Sequence, residues 1–138
     1  CLALLERGLL VTGIDPAEMD PEALAHPHFT HVRALARNVK RGLFRECRWL
    51  IMDANVAPNY LLDTLAAVID AVLTQGGARP DGLVLTLKLT DPALAAKLPA
   101  IAERICRYGY RRVRMRQLAY NRQEVCAVAD QAIAGAPA

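Results

Sequence analysis

The sequence predicts an α/β domain with a mostly parallel sheet that closes on an antiparallel hairpin at its carboxyl end. Short apolar runs, typical of strands buried on both faces, alternate with segments that have helical spacing. The connection between the last two strands is too short for a crossover helix, so these strands must pair antiparallel. With 138 residues, 54% of them hydrophobic and 22% charged, the chain predicts one folded domain rather than a disordered segment.

Six strands are predicted, and all of them are expected in one sheet with the last strand antiparallel to its neighbours. They cover residues 9–14, 29–34, 48–53, 82–88, 111–118 and 124–129. A short helix precedes Gly8, and residues 60–73 form a crossover helix that Gly76 and Gly77 stop. Another helix starts at Pro92 and runs from about residue 93 to 108. The strands therefore alternate with helices until the closing hairpin.

The chain starts without Met, inside an apolar segment that has neither the basic start nor the cleavage site of a signal peptide. Its apolar runs are shorter than a membrane-spanning helix requires, and we expect a cytoplasmic protein with a segment upstream of Cys1. Four widely spaced cysteines provide no metal or redox motif, so we expect small buried side chains in a reducing compartment. The three nearby histidines lack companion ligands, and we predict no metal site.

Two clusters of basic residues stand out although the formal net charge is only +3. A phosphate-rich partner such as RNA fits such clusters, because lysine and arginine side chains that bind phosphates release counterions from the nucleic acid. Solvated arginine faces are the alternative. The clusters are Arg33, Arg37, Lys40, Arg41, Arg45 and Arg48, and then Arg104, Arg107, Arg111, Arg112, Arg114 and Arg116.

Polar residues near the ends of three predicted strands are the candidates for chemistry, because ligands of open α/β sheets bind at the carboxyl ends of strands. Asp15 is placed to accept hydrogen bonds from ribose hydroxyls, or it is a turn aspartate before Pro16. Lys88 lies in an apolar strand, where Asp53 and Glu124 are candidate partners for its ammonium. A lysine among carboxylates can orient or deprotonate a hydroxyl nucleophile; alternatively, Lys88 extends its charge to water at a strand end.

Four blocks in order resemble the FtsJ-like RNA ribose 2′-O-methyltransferases over nearly the whole chain. The last two look most like the bacterial large-subunit rRNA cytidine 2′-O-methyltransferases of the RlmM type. The blocks are residues 11–21 (VTGIDPAEMDP), 50–53 with 57–59 (LIMD and APN), 85–89 (LTLKL) and 116–125 (RQLAYNRQEV).

The resemblance implies a Rossmann-like methyltransferase sheet, S-adenosylmethionine as cofactor, and structured RNA, above all large-subunit rRNA, as substrate. It implies a tetrad of lysine, aspartate, lysine and glutamate, of which Asp53, Lys88 and Glu124 match the last three members. Asp15, Asn38 and Asp53 would contact the cofactor, with Asn38 standing where the family usually has an aspartate.

The same resemblance predicts that residues 1–138 are the carboxy-terminal part of such a domain. The family's first strand, its glycine-rich loop and the first lysine of the tetrad would precede Cys1, which leaves a gap between the strands that end at Asp15 and Asp53. As it stands, this part would be inactive alone. Two other functions stay open: a catalytically degenerate domain that binds RNA, and a nicotinamide-dependent oxidoreductase, since Asp15 suits a ribose in either fold.

Overall fold

The computed structural model describes residues 1–89, 91–118 and 121–132. Two compact units make up the chain, Cys1–Lys40 and Arg41–Ala138. Both units combine helices with parallel strands, so the predicted mixed α/β class is confirmed.

The first unit holds a two-stranded parallel sheet. Its elements are α1 (Leu2–Leu5), β1 (Val11–Ile14), α2 (Pro21–Ala25), β2 (Phe29–Val32) and a 3-10 helix, Ala36–Asn38. No helix is predicted from the sequence where α2 lies. This five-residue helix forms because the Asp20 carboxylate accepts the Glu22 backbone N–H at 2.8 Å, and because Pro21 fits the first helical position.

The second unit holds a four-stranded sheet with the spatial order β3-β4-β6-β5. Its strands are β3 (Trp49–Met52), β4 (Gly82–Lys88), β5 (Tyr110–Leu118) and β6 (Asn121–Ala132). The β3 and β4 strands are parallel, and β6 is antiparallel to both of its neighbours, as predicted. The last strand along the chain therefore lies inside the sheet, between β4 and β5. The sequence predicts a polar connection between the last two strands at residues 120–123. Tyr120 lies outside the described residues, and residues 121–123 already belong to β6.

Two helices cover one face of this sheet. The α3 helix (Pro58–Thr74) connects β3 to β4, and a 3-10 helix (Pro92–Lys97) followed by α4 (Leu98–Arg107) connects β4 to β5. Both crossovers run in the same direction across the sheet, and right-handed connections then place both helices on the same side. The burial pattern agrees. The core on this side contains Leu61, Leu62, Leu65, Ile69, Leu83, Leu85, Leu87 and Ile105. The alternate residues of β4, among them Lys88, are partly exposed on the other side.

The prediction that all six strands share one sheet is wrong. The strands form two separate sheets, β1 with β2 and β3 to β6. Strands belong to one sheet only where neighbouring backbones lie about 4.8 Å apart. Within residues 1–89, 91–118 and 121–132, no strand connects the sheet of β1 and β2 to the sheet of β3 to β6.

The helix predicted from about residue 93 is α-helical only from Leu98. Pro99 explains the later start, because a proline has no N–H and clashes with the carbonyl four residues before it. The preceding turns therefore take the 3-10 form, where the Asp91 carboxylate accepts the Ala93 backbone N–H at 2.8 Å.

The cysteines differ from the expectation of small buried side chains. Cys1 and Cys106 are exposed, whereas Cys47 and Cys126 are half-buried, and all four are free thiols. The position of Cys126 explains its exposure, since its register partner is Thr86 on the half-exposed face of the sheet. Over the described ranges, no helix has the length and apolar character needed to cross a membrane.

Candidate functional site

The backbone of the four-stranded sheet brings Lys88 and Glu124 together. Lys88 ends β4 and is the direct register partner of Glu124 in antiparallel β6. The ladder continues one residue further, because the Leu89 N–H donates to the Gln123 carbonyl at 2.6 Å. On the opposite face, Leu87 and Val125 are buried in the core and fix this register. A one-residue slip would turn both charged side chains into that core.

The Lys88 ammonium lies between two carboxylates. Its Nζ donates a hydrogen bond to Oε1 of Glu124 and lies 3.6 Å from Oδ1 of Asp53, the residue that follows β3. The exposed fractions of the side chains are 20% for Lys88, 16% for Glu124 and 69% for Asp53. Both carboxylates that the sequence offered as candidate partners therefore lie within ion-pair distance of the ammonium. We call Asp53, Lys88 and Glu124 the charged trio.

These carboxylates keep Lys88 charged. The hydrogen bond to Glu124 raises the pKa of Lys88, partial burial opposes this shift, and the negative charge of Asp53 adds to it. The side chain is therefore an ammonium at neutral pH. Such a group can donate to a hydroxyl or stabilise a developing oxyanion, whereas it holds its own proton too tightly to act as a strong base near pH 7.

Asp15 and Asn38, the other predicted cofactor contacts, belong to the first unit. Asp15 follows β1 directly, its side chain is exposed, and its Oδ1 accepts the Ala17 backbone N–H at 2.8 Å. This bond is the turn contact of the alternative interpretation, yet it occupies only one carboxylate oxygen. Asn38 ends the 3-10 helix Ala36–Asn38 with an exposed side chain. Their roles as cofactor contacts stay predictions.

Sequence reasoning missed a network between α3 and α4. Arg104 donates to Oδ1 of Asp63 at 2.5 Å and to the Tyr108 hydroxyl at 2.7 Å, and this hydroxyl donates to the Leu62 carbonyl at 3.1 Å. The spacing of Arg104 and Tyr108, four residues apart on one helix face, was the available signal. Arg104 thus has a structural role within the second basic cluster.

No family model matches the chain, and no curated protein matches it. Within the described residues, no three His, Cys, Asp or Glu side chains form a group that could hold a metal ion.

Solved structures of methyltransferases share this fold. The antibiotic-resistance methyltransferase Kmr matches with a TM-score of 0.60 and 20% identity, over 96% of this chain and 79% of that one. A tryptophan-to-alanine mutant of the 16S rRNA (adenine(1408)-N(1))-methyltransferase from Catenulisporales acidiphilia, with cosubstrate SAM, matches with a TM-score of 0.55 and 17% identity, over 96% and 78%. The similarity shows the fold. At these identities, the reaction has to be argued from the charged trio.

Proposed function

We propose that the protein transfers a methyl group from S-adenosylmethionine to a ribose 2′-hydroxyl of RNA, with large-subunit rRNA as the substrate. The observation that carries this proposal is the Lys88 ammonium held between Asp53 and Glu124 at the end of β4. Support comes from the resemblance of four sequence blocks to the FtsJ-like enzymes and from a fold shared with solved methyltransferases.

The charged trio fits the cofactor electrostatically. One ammonium and two carboxylates give the trio a formal charge of −1, which favours a cationic ligand. When bound, S-adenosylmethionine supplies a methyl group on a positively charged sulfur; transfer to the 2′-oxygen breaks the carbon–sulfur bond and leaves its electron pair on sulfur. Asp15 suits the ribose of this cofactor, because its carboxylate is exposed after β1 and one of its oxygens is oriented by the Ala17 N–H.

In this proposal Lys88 positions the nucleophile. Its ammonium donates a hydrogen bond to the 2′-oxygen and stabilises the negative charge that grows on this atom as the new carbon–oxygen bond forms. Glu124, the less exposed carboxylate, holds the ammonium in place. Asp53, with its exposed carboxylate, receives the hydroxyl proton and passes it to water.

The same geometry argues for a hydroxyl rather than a ring nitrogen. The Catenulisporales acidiphilia enzyme is named for methylation of adenine at N1. Such a nitrogen attacks with its own lone pair and generates no oxyanion, so an ammonium donor beside it would compete for that lone pair. A lysine ammonium that donates to the acceptor atom therefore favours oxygen over a ring nitrogen.

Product analysis tests the proposal. The full-length protein is incubated with methyl-labelled S-adenosylmethionine and an unmodified transcript of large-subunit rRNA, and the RNA is digested to nucleosides for mass spectrometry. We expect the label on a ribose. Label on a base would contradict the ribose assignment. RNA binding without any transfer would favour the catalytically degenerate RNA-binding domain instead.

A further inference from the structure

A cleft opens between the start of α3 and the length of α4, within the second unit. Its volume is about 310 Å³. We call it the α3–α4 cleft, and it is lined by Ala57, Pro58, Asn59, Leu62, Leu94, Lys97, Ala100, Ile101, Arg104 and Arg107.

The two ends of this cleft carry positive charges that nothing else in the described structure uses. Lys97 and Arg107 are exposed, and neither has a hydrogen bond or an ion pair among the described residues. Arg104 lies between them along α4 but is held by Asp63 and Tyr108. Ten residues of mostly α-helix separate Lys97 from Arg107, which corresponds to about 15 Å. This separation is too long for one phosphate group and suits successive phosphates of a strand.

The floor of the α3–α4 cleft is apolar. Leu62 and Ile101 are buried beneath it, and the half-buried Leu94 and the exposed Ala100 are the apolar side chains that a ligand can reach. Asn59 adds an amide that can donate and accept hydrogen bonds. None of the described residues that line the cleft is acidic, and the carboxylate of nearby Asp63 is paired with the lining residue Arg104. Grooves that bind single-stranded nucleic acid place cations along the phosphates, and the apolar surface between Lys97 and Arg107 leaves room for a base.

The two chain segments that lead into the walls of the cleft start at the edge of the sheet where the charged trio lies. The loop after Asp53 leads into residues 57–59 of one wall, and the segment after Lys88 leads to Lys97 in the other. Because β3 and β4 are parallel, the two connections start at a common edge. Because the Lys88 side chain faces the other side of the sheet, an RNA strand bound at Lys88 reaches the cleft by passing around this common edge.

We propose that the α3–α4 cleft binds the single-stranded RNA next to the target nucleotide. Lys97 and Arg107 bind phosphates at its two ends, and an unstacked base packs against Leu94 and Ala100 between them. This inference rests on the proposed function, since it takes RNA as the substrate of the charged trio.

Charge removal provides the first test. In the full-length protein, the double variant Lys97→Ala/Arg107→Ala should raise the KM for the rRNA transcript about tenfold or more and leave kcat at saturating RNA nearly unchanged. Loss of two phosphate contacts should reduce the slope of log affinity against log salt by about 1.4. Arg7→Ala is the control for the two single variants Lys97→Ala and Arg107→Ala, because each removes one exposed positive charge and Arg7 lies outside both basic clusters. A double variant with the KM and salt slope of this control would overturn the inference.

Filling the cleft tests the base platform separately from charge. Ala100→Trp places a large ring over the apolar floor and should weaken binding of the transcript while S-adenosylmethionine affinity stays unchanged. Ala96→Trp is the control, because Ala96 is exposed on the preceding 3-10 helix and does not line the cleft. Equal RNA affinity of the two variants, with melting temperatures like the wild type, would refute a base in the cleft.

The outcomes also separate this inference from the proposed function. If Lys88→Ala abolishes transfer and the cleft variants bind RNA normally, the proposed function survives and the RNA subsite is wrong. If the wild type transfers no methyl group but its RNA binding depends on Lys97 and Arg107, the subsite survives and the methyl-transfer proposal is wrong.

Discussion

Arg112 and Asp130 face each other across the β5–β6 ladder and share two parallel hydrogen bonds, Nε to Oδ1 at 2.6 Å and Nη2 to Oδ2 at 2.7 Å. Arg114 adds a third bond to the same carboxylate at 3.1 Å. Two arginines of the second basic cluster are therefore already paired within the sheet. Arg107, Arg111 and Arg116 are its exposed cations without an ion-pair partner among the described residues.

Asp130→Asn should destabilise the protein at neutral pH and reduce its sensitivity to acid. The hydrogen bond from Arg112 lowers the pKa of Asp130 in the folded state. The stabilisation is therefore present above the unfolded pKa of about 3.9 and is lost as the pH falls through the lower folded value. Urea unfolding from pH 7 to pH 2 measures this effect. The difference between wild type and variant should vanish at the acidic end; a constant difference would contradict the assignment.

Lys88→Ala in the full-length protein should lower the methylation rate by on the order of 10² or more, the usual loss for a group that assists proton transfer or charge development. The affinity for S-adenosylmethionine should stay nearly unchanged. Single-turnover methylation and calorimetry measure the two quantities, with Arg7→Ala as control. A normal rate in Lys88→Ala would remove Lys88 from the mechanism.

The pH dependence of kcat distinguishes an orienting ammonium from a basic amine. Because Glu124 and Asp53 raise the pKa of Lys88 above its ordinary value of about 10.4, the charged form is complete at neutral pH and is lost only when the pH rises through that higher value. We expect kcat to show no lysine-dependent rise between about pH 7 and 9, and Lys88→Arg to keep part of the activity, since arginine stays protonated. A tenfold rise per pH unit, abolished in Lys88→Arg, would identify a basic amine instead.

Asp15→Ala should weaken S-adenosylmethionine binding by about 1 to 3 kcal/mol, as expected for loss of a charge-assisted hydrogen-bond acceptor. Calorimetry on the full-length protein measures this change. Glu18→Ala is the control, because it removes an exposed carboxylate three residues away. If the two variants bind equally well, Asp15 is only a turn residue.

Gly82→Ala should destabilise the second unit by roughly 1 to 3 kcal/mol, the usual cost of overpacking. Gly82 is the register partner of Trp49, and a Cβ at this position would overlap the indole ring. Gly42→Ala, whose nearest neighbour would be the Gln75 side chain at 3.6 Å, should be nearly neutral. Trp49 is the single tryptophan, so its fluorescence in urea reports both outcomes. Equal urea midpoints of unfolding for the two variants would show that the Trp49 indole ring moves aside without loss of stability.

The strands were predictable because apolar runs such as residues 83–87 have few other uses in a folded domain. Short helices were harder. The α2 helix depends on the Asp20 cap, and the start of α4 depends on Pro99. Hydrophobic periodicity over a whole segment does not report such effects of single residues. The division into two sheets concerns which strands become neighbours, and this information lies in long-range pairing rather than in local sequence.

The charged trio was predictable in outline, since Asp53 and Lys88 follow apolar strands at one edge. The proximity of Glu124 to Lys88 depended on the antiparallel register of β6, and the position of the closing hairpin indicated it. By contrast, the α3–α4 cleft was not predictable. Its walls join residues from two helices about forty positions apart, and only packing brings Asn59 near Ala100.

The insertion of β6 between β4 and β5 also sets the order of events during synthesis. Until the ribosome has released residues 121–132, β4 and β5 have no common neighbour, and Lys88 has no cross-strand partner. A nascent chain that stops before β6 would therefore present two open strand edges, which invite pairing with other chains. Completion of the sheet and assembly of the charged trio thus coincide, so a chaperone that shields these edges would also delay the appearance of the site.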